Sequence, residues 1–275
     1  MNRDNKAITA LKFFLLIIGA LIMIVPILWM ISTSFKLPTE LNIWPPPLMP
    51  KQFKLNNFYR VFEAAPFLRY FLNSLGMALC STVSILFTST LAGYIFAKFK
   101  FKGRDAIFAL ILGTAIIPIE IYMIPLYLQL QKLHLIDTFA GLVMPYLIMS
   151  FGIFFIRQSV IQQIPDEIIE SARIEGASEW RIFIQIVSPL LGSTLAALGI
   201  FAFLEGWNAF VWPLIVANSK TLFTMELGLA MFQSAYTLDI SLTSAGSLVS
   251  ILPVLTVFIF LRKQILESLS ITGLK

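Results

Sequence analysis

The chain has 275 residues, of which 58% are hydrophobic and only 13% charged, with a mean hydropathy of +0.85 and a formal net charge of +5. No ordinary soluble domain carries that balance, so composition excludes a water-soluble enzyme or binding module and leaves an all-α, polytopic integral membrane protein. One cysteine, Cys80, rules out an internal disulfide, and one histidine, His134, removes the usual zinc sites and histidine-based triads.

About 20 apolar residues cross a bilayer as a helix, and six such runs occur, at 11–31, 71–97, 106–130, 139–156, 183–204 and 245–261. The first follows Arg3, Lys6 and Lys12; it is too long for a signal peptide and no small-x-small cleavage site precedes Lys36, so it is expected to remain as an anchor. The second holds the serines, threonines and Gly93 of STVSILFTSTLAG, which permit close helix packing, with Cys80 expected to pack between helices. It closes on a basic cluster, Lys98 to Arg104, that anchors the interface.

In the third span Glu120 lies between Pro118 and Pro125. Prolines free backbone carbonyls and bend membrane helices, so this stretch is expected to be irregular and to line protein or a cavity, which makes Glu120 a candidate pathway residue. His134, at the outer end of that span, is read as a solvated loop residue. The fifth span runs into LEGWNAFVWPLIVAN. An acidic residue at a helix centre costs about 2.5 to 3.5 kcal/mol on insertion scales, so Glu205 is expected to face protein or water. Trp207 and Trp212 suit an interfacial belt or plain packing first, and stacking on a flat ligand face second. Asn208 fits a substrate hydroxyl or a neighbouring helix. The segment 220–243 contains the amphipathic TMELGLAMFQSAY, expected to lie across the outer face.

Six spans place both ends on one side. Arg3, Lys6, Lys12, Lys98, Lys100, Lys102, Arg104, Arg157, Arg173, Arg181, Arg262, Lys263 and Lys275 share that side, leaving seven of the 20 basic residues on the other. The positive-inside rule makes the thirteen cytoplasmic. The net charge then reflects topology and needs no nucleic acid. The domain reading is a tail and anchor at 1–35, an extracytoplasmic loop at 36–69, a transmembrane domain at 70–262 and a cytoplasmic tail at 263–275.

The most informative stretch is IPDEIIESARIEGASEWRIFIQIVSP, 164–189, a charged island in a lipid-soluble chain. Pro165 suits the first helical position, and Asp166 and Glu167 place negative charge at the positive end of the helix dipole. Ile168, Ile169 and Ala172 fall on one face, with Glu167, Glu170 and Arg173 mainly on the other. Gly176 is suited to a left-handed stop, and Ser178 to the N-cap of a second helix through Glu179, Trp180 and Arg181. The unit reads as helix, glycine turn, helix.

These residues resemble the cytoplasmic signature of the membrane subunits of type I ABC importers. Glu170, Ser171 and Ala172 stand for Glu-Ala-Ala, Gly176 comes four residues after Ala172, Ile186 ten further on, and Pro189 three beyond that. Ser171 replaces the first Ala, and Ser188 the Leu that usually precedes the Pro. The likeness continues in LAGYIFAKFKFKGR and WNAFVWPL and is nearest to the maltose-permease-like, carbohydrate-uptake branch. It implies a type I ABC transmembrane domain of six helices with a cytoplasmic coupling helix, in a bacterial or archaeal cell membrane. It also implies a second, non-identical permease chain, two copies of a cytoplasmic ABC ATPase, an extracytoplasmic solute-binding protein and a carbohydrate substrate. Glu170, Ser171, Ala172, Glu175, Gly176 and Ala177 would then form the ATPase coupling element. Glu120, Glu205, Trp207 and Asn208 would be candidates for the substrate pathway. The chain has no GxxxxGK[ST] sequence, so ATP and Mg would belong to the partner ATPase.

Two other classes make different demands. An ion-coupled carrier or channel needs paired ionisable groups at mid-membrane; only Glu120 and Glu205 qualify, and neither has an evident basic mate. An intramembrane enzyme needs clustered nucleophiles or metal ligands that the spans do not supply.

Overall fold

A computed structural model describes the backbone of residues 3–237 and 239–272, with the side chains of 9, 11–237 and 239–260. Among the described residues all regular structure is helical. Four helices are long and apolar enough to cross a membrane, or up to six if each of two bent pairs is one span. The chain divides into two compact units, Met1–Phe67 with Leu229–Leu252, and Leu68–Gly228 with Pro253–Lys275.

In the first unit α1 (Arg3–Ser34) presents an exposed apolar surface from Leu11 to Leu28, the surface a lipid-facing anchor needs. Its end is satisfied by Asn57, whose amide donates to Ser34 O at 2.9 Å and Lys36 O at 2.7 Å. The loop that follows is ordered by two short helices, Pro38–Leu41 and Asn56–Ala64. Glu40 closes it by accepting the Lys51 N–H at 2.9 Å and the Leu37 N–H at 3.3 Å, which together hold its carboxyl below the usual range. Lys36 is fully buried with its ammonium 4.1 Å from the Trp29 ring centroid. Arg60 pairs with Asp239 at 2.7 Å.

The second unit is built on α2 (Phe67–Lys98), from Leu68 onward. Three glycines let other helices approach it closely, as the small residues of this span predict. A Cβ at Gly93 would meet Ile156 at 2.7 Å and the Arg157 backbone nitrogen at 2.9 Å; at Gly152, Ser89 Oγ at 2.5 Å; at Gly206, Ser81 Oγ at 2.6 Å. The hydroxyls of Ser81, Thr82 and Thr88 donate back to carbonyls of their own helix at 2.8, 2.6 and 2.7 Å, so they sit in an apolar interior without seeking water. Cys80, expected between helices, is exposed. It occupies the outward side of α2, a direction that residue type alone does not set.

The third span, over 106–130, is irregular, as expected. It is α3 (Arg104–Thr114) and α4 (Ile119–Lys132), bent by 96°. Pro118 is the N-cap of α4 in extended conformation (φ −62°, ψ 146°), and the residue before a proline is pushed out of the helical region. Pro125 lies within α4 and does not end it. Helix α4 stops at His134, which adopts φ 56° and closes the last turn with its N–H on Gln131 O at 3.1 Å, while the Leu135 N–H reaches Leu130 O at 2.9 Å. The His134 side chain is exposed, as a solvated loop residue should be.

The fourth span, expected over 139–156, is also broken. α5 (Phe139–Val143) and the 3-10 turn Met144–Tyr146 meet α6 (Ser150–Gln163) at 44°, with Met149 extended between them. Next come α7 (Asp166–Ile174) and α8 (Glu179–Ile182). The fifth span begins later than 183: Phe183–Val187 forms a π-helical turn, and the membrane-length stretch is α9 (Gly192–Trp207) with α10 (Val211–Val216). Phe183, Val187 and Leu191 are apolar because they belong to the chain's own core. α11 (Met225–Ala235) occupies the amphipathic stretch. α12 (Ile240–Thr272) overruns the expected 245–261 at both ends, its start capped by Asp239 Oδ1 accepting the Leu242 N–H at 3.0 Å. The basic side chains of the tail 263–275 lie outside the described residues.

Overpacking a tight helix contact costs about 1 to 3 kcal/mol. Gly93→Val, which drives a side chain into backbone, should lower the melting temperature in detergent, whereas Gly192→Ala, with nothing within 4 Å of its added Cβ, should not; equal melting of the two would contradict this packing.

Candidate functional site

The charged island folds as two helices around a glycine turn. Pro165 stands one place earlier than expected, at the N-cap of α7, so Asp166 and Glu167 occupy the first turn. The turn at Gly176 is a complete Schellman closure: Gly176 N–H to Arg173 O at 3.0 Å, and Ala177 N–H to Ala172 O at 2.9 Å. Gly176 has φ 81°, a left-handed conformation that only glycine adopts freely. Ser178 caps α8 as its type predicts, its hydroxyl oxygen accepting the Arg181 N–H at 3.3 Å.

The two faces of α7 differ from the expected split in one place. Ile169 and Ala172 are buried, but Ile168 is 41% exposed. Ile169 and Ala172 join a core cluster with Tyr94, Ile156, Val160, Ile164, Ile182, Phe183 and Val187. Ala172 therefore seats the helix on its own chain. Glu170, Ser171, Glu175 and Gly176 project outward, and Ala177 is half-buried. Two large apolar side chains are left bare beside them, Ile174 at 88% and Trp180 at 57% exposure.

Polar contacts fix the island's orientation. Lys98, at the end of α2, donates to Ile164 O at 2.5 Å and pairs with Asp166. Arg173 grips Glu179 through Nε at 2.7 Å and Nη2 at 3.3 Å, spanning the glycine turn. The Tyr94 hydroxyl lies 3.2 Å from the same carboxylate. The Arg173 guanidinium holds the Glu179 carboxyl below the usual carboxylate range, against the opposing effect of burial. Asp166 is likewise held down by Lys98. Pro189 has no N–H and its ring crowds the carbonyl four residues back, and the π turn over Phe183–Val187 is where the helix widens to admit it. Ser188, in place of the usual Leu, donates both its backbone N–H and its hydroxyl, the latter at 2.8 Å, to Phe183 O.

The membrane candidates separate into two groups. Trp207 is 1% exposed, stacked on Phe203 at 5.9 Å and set edge-on to Phe71 at 5.8 Å. Trp212 is equally buried, its indole N–H donating to Gly141 O at 2.9 Å. Of the readings open to the tryptophans, packing is the one this geometry fits. Glu120, Glu205 and Asn208 are exposed on the chain. Glu120 and Glu205, 85 residues apart in sequence, both lie within electrostatic range of the Tyr122 and Tyr146 hydroxyls. The bend before Pro118 brings Glu120 to this group. Tyr122 and Tyr146 escape a sequence reading because each sits in a run indistinguishable from ordinary span sequence.

Residues 89–265 match the family described as "Binding-protein-dependent transport system inner membrane component". The arabinooligosaccharides transport system permease protein AraQ of Bacillus subtilis (strain 168) is 35% identical over 272 residues, covering 97% of this chain and 95% of that protein. The diacetylchitobiose uptake system permease protein NgcG of Streptomyces coelicolor is 30% identical over 271 residues, covering 97% and 89%. Among solved structures, a chain of a bacterial ABC transporter involved in importing the acidic polysaccharide alginate superposes with a TM-score of 0.84 at 21% identity, over 96% of this chain and 98% of that one.

Because the folded pKa of Glu179 is depressed, its contribution to the turn is complete above the ordinary glutamate value of 4.5 and is lost as pH falls through the lower folded value. Hydrogen exchange at the Gly176 and Ala177 amides, corrected for intrinsic rate, should quicken as pH falls below the ordinary glutamate value of 4.5. The acceleration should disappear in Glu179→Gln; an identical pH profile in that variant would show that Glu179 does not govern the turn.

Proposed function

The chain belongs to the family of binding-protein-dependent transport system inner membrane components, and from that premise we propose that it is one permease of a type I ABC importer for a neutral carbohydrate. It is a multi-pass membrane protein with no covalent chemistry of its own. It forms half of a translocation pathway with a second, non-identical permease, receives substrate from an extracytoplasmic binding protein, and is driven by two ABC ATPases that bind ATP and Mg. Both of its ends lie in the cytoplasm.

One observation carries this reading: a rigid helix-turn-helix, seated on its own chain by Ile169 and Ala172, that leaves Glu170, Ser171, Glu175, Ile174 and Trp180 bare. Exposed charge around two bare apolar anchors suits a protein partner with a polar-rimmed apolar groove. The Schellman turn makes the element stiff enough to be pushed as a lever. Gly176 and Ala177 shape its tip, and Glu170, Ser171 and Glu175 supply its polar contacts.

The neutral substrate follows from charge. Glu120 and Glu205 face outward from membrane spans where a carboxylate tolerates protein or water but not lipid, which suits the wall of a hydrated pathway. With Tyr122, Tyr146 and Asn208 they offer acceptors and donors for hydroxyls, and repel an anion. AraQ is named for arabinooligosaccharides and NgcG for diacetylchitobiose.

Purification in mild detergent should recover an ATPase and a second permease with this chain. Gly176→Asp places a side chain at φ 81°, where a non-glycine residue costs about 1 to 2 kcal/mol, and adds charge at the tip. It should abolish uptake while membrane insertion and binding-protein affinity persist. Normal uptake in that variant, or transport by the chain alone without ATP, would replace this reading with an ion-coupled carrier. Glu205→Gln should relax the discrimination against an anionic sugar in reconstituted vesicles, and an unchanged neutral-to-anionic uptake ratio would remove Glu205 from the pathway.

A further inference from the structure

The island is tied to the cytoplasmic end of α2 at two places one helical turn apart. Lys98, whose side chain is only 8% exposed, holds Ile164 O and Asp166, the carbonyl and carboxylate at the entry to α7. Four residues earlier on the same helix, Tyr94, 2% exposed, donates to Glu179, the first residue of α8, at 3.2 Å. Glu179 also binds Arg173 at 2.7 Å in the last turn of α7, so the second tie reaches both helices. Apolar contact alone lets two helices slide. Directional bonds at two separated points fix rotation as well as translation.

The other end of this connection is also visible. Along its length α2 carries Ser89 against Gly152 of α6 and Ser81 against Gly206 of α9, at contacts with no room for a Cβ. Gly206 adjoins Glu205. Close-packed contacts of this kind do not deform gradually, so a displaced α2 must move or repack the neighbour of that carboxylate.

Resting on the importer reading above, we infer that α2 is the element that receives the stroke of the helix-turn-helix and carries it to the Glu205 region, with Lys98, Tyr94 and Glu179 as positioning residues that keep the two in register. Their role is to make the movement of the helix-turn-helix arrive as a defined movement of the span.

The measurement is substrate transported per ATP hydrolysed, in proteoliposomes holding the complete complex, alongside its melting temperature. Glu179→Gln, Tyr94→Phe and Lys98→Met should each leave assembly and binding-protein-stimulated hydrolysis in place while lowering transport per ATP by about threefold to fivefold, the scale of one polar contact. Reversing the pair, Arg173→Glu with Glu179→Arg, should recover part of what Glu179→Arg alone loses, which a direct contact of Arg173 with the ATPase would not allow. If Lys98→Met does not assemble, Tyr94→Phe, which removes one hydroxyl, decides the matter. An unchanged transport ratio in these variants, or a fall that only tracks lost melting temperature, overturns the inference. Failure of the importer reading itself has a different signature: no ATPase is recovered with the unmodified chain.

Discussion

In hydrocarbon a polar group without an internal partner is too costly to leave alone, and that constraint sets where this chain breaks, bends and closes. The Ser81, Thr82 and Thr88 hydroxyls in α2 return to carbonyls of their own helix and Ser84 donates to Leu147 O, while Ser89 Oγ, pressed against Gly152, is left without a hydrogen-bond partner among the described residues. The Trp212 indole finds Gly141 O. At α4 the constraint is met by a left-handed histidine and at α7 by a left-handed glycine, each closing the last carbonyls of its helix with the following amides. The same turn chemistry serves two ends. At His134 it lets the chain leave a span, and at Gly176 it builds a stiff tip out of a charged segment.

Much of the island was legible because its signals are local. A glycine after an amphipathic run, a serine before a new helix and acidic residues in a first turn each act through bonds of a few residues' range. The second span was legible for a similar reason, since apolar length and a basic end leave little choice. What stayed hidden depends on contacts distant in sequence. Nothing near Lys98 says that its ammonium will cap Ile164 and pair with Asp166, 66 and 68 residues on. Ala172 belongs to a recognisable motif, yet its inward direction follows from the core cluster it joins.

The fifth span starts later than its apolar run for a physical reason. Hydropathy reports that a residue avoids water, and both lipid and the protein's own interior satisfy that. The run after α8 is apolar because Phe183, Val187 and Leu191 pack inside, so its apolar character continues into α9 although the membrane-length stretch starts only at Gly192. Pro118 and Pro125 look alike in sequence, but only the first coincides with a place where the chain has already left the helical geometry, with Ala115 reaching back to Leu112 and Gly113. Prolines inside α1 and α12, at Pro26 and Pro253, likewise leave those helices unbroken. A proline permits a break, and the packing around it decides whether one occurs.

These arrangements divide the work between two kinds of force. The apolar seat of the island, made by Ile169, Ala172 and Ile182, resists detachment because burying such groups contributes about 25 cal/mol for each Å² removed from water. It is weakly directional. The Lys98, Tyr94, Arg173 and Glu179 contacts add little to stability where they meet solvent, since exposed ion pairs contribute about 0 to 1 kcal/mol, but they are strict about angle and distance. An element that must stay attached while being pushed, and must deliver the push in one direction, needs the first property for retention and the second for register. Strong ion pairs without the apolar seat would detach under salt, and an apolar seat alone would slip. Both occur within one turn of α2, directly below the glycine contacts that join that helix to α6 and α9.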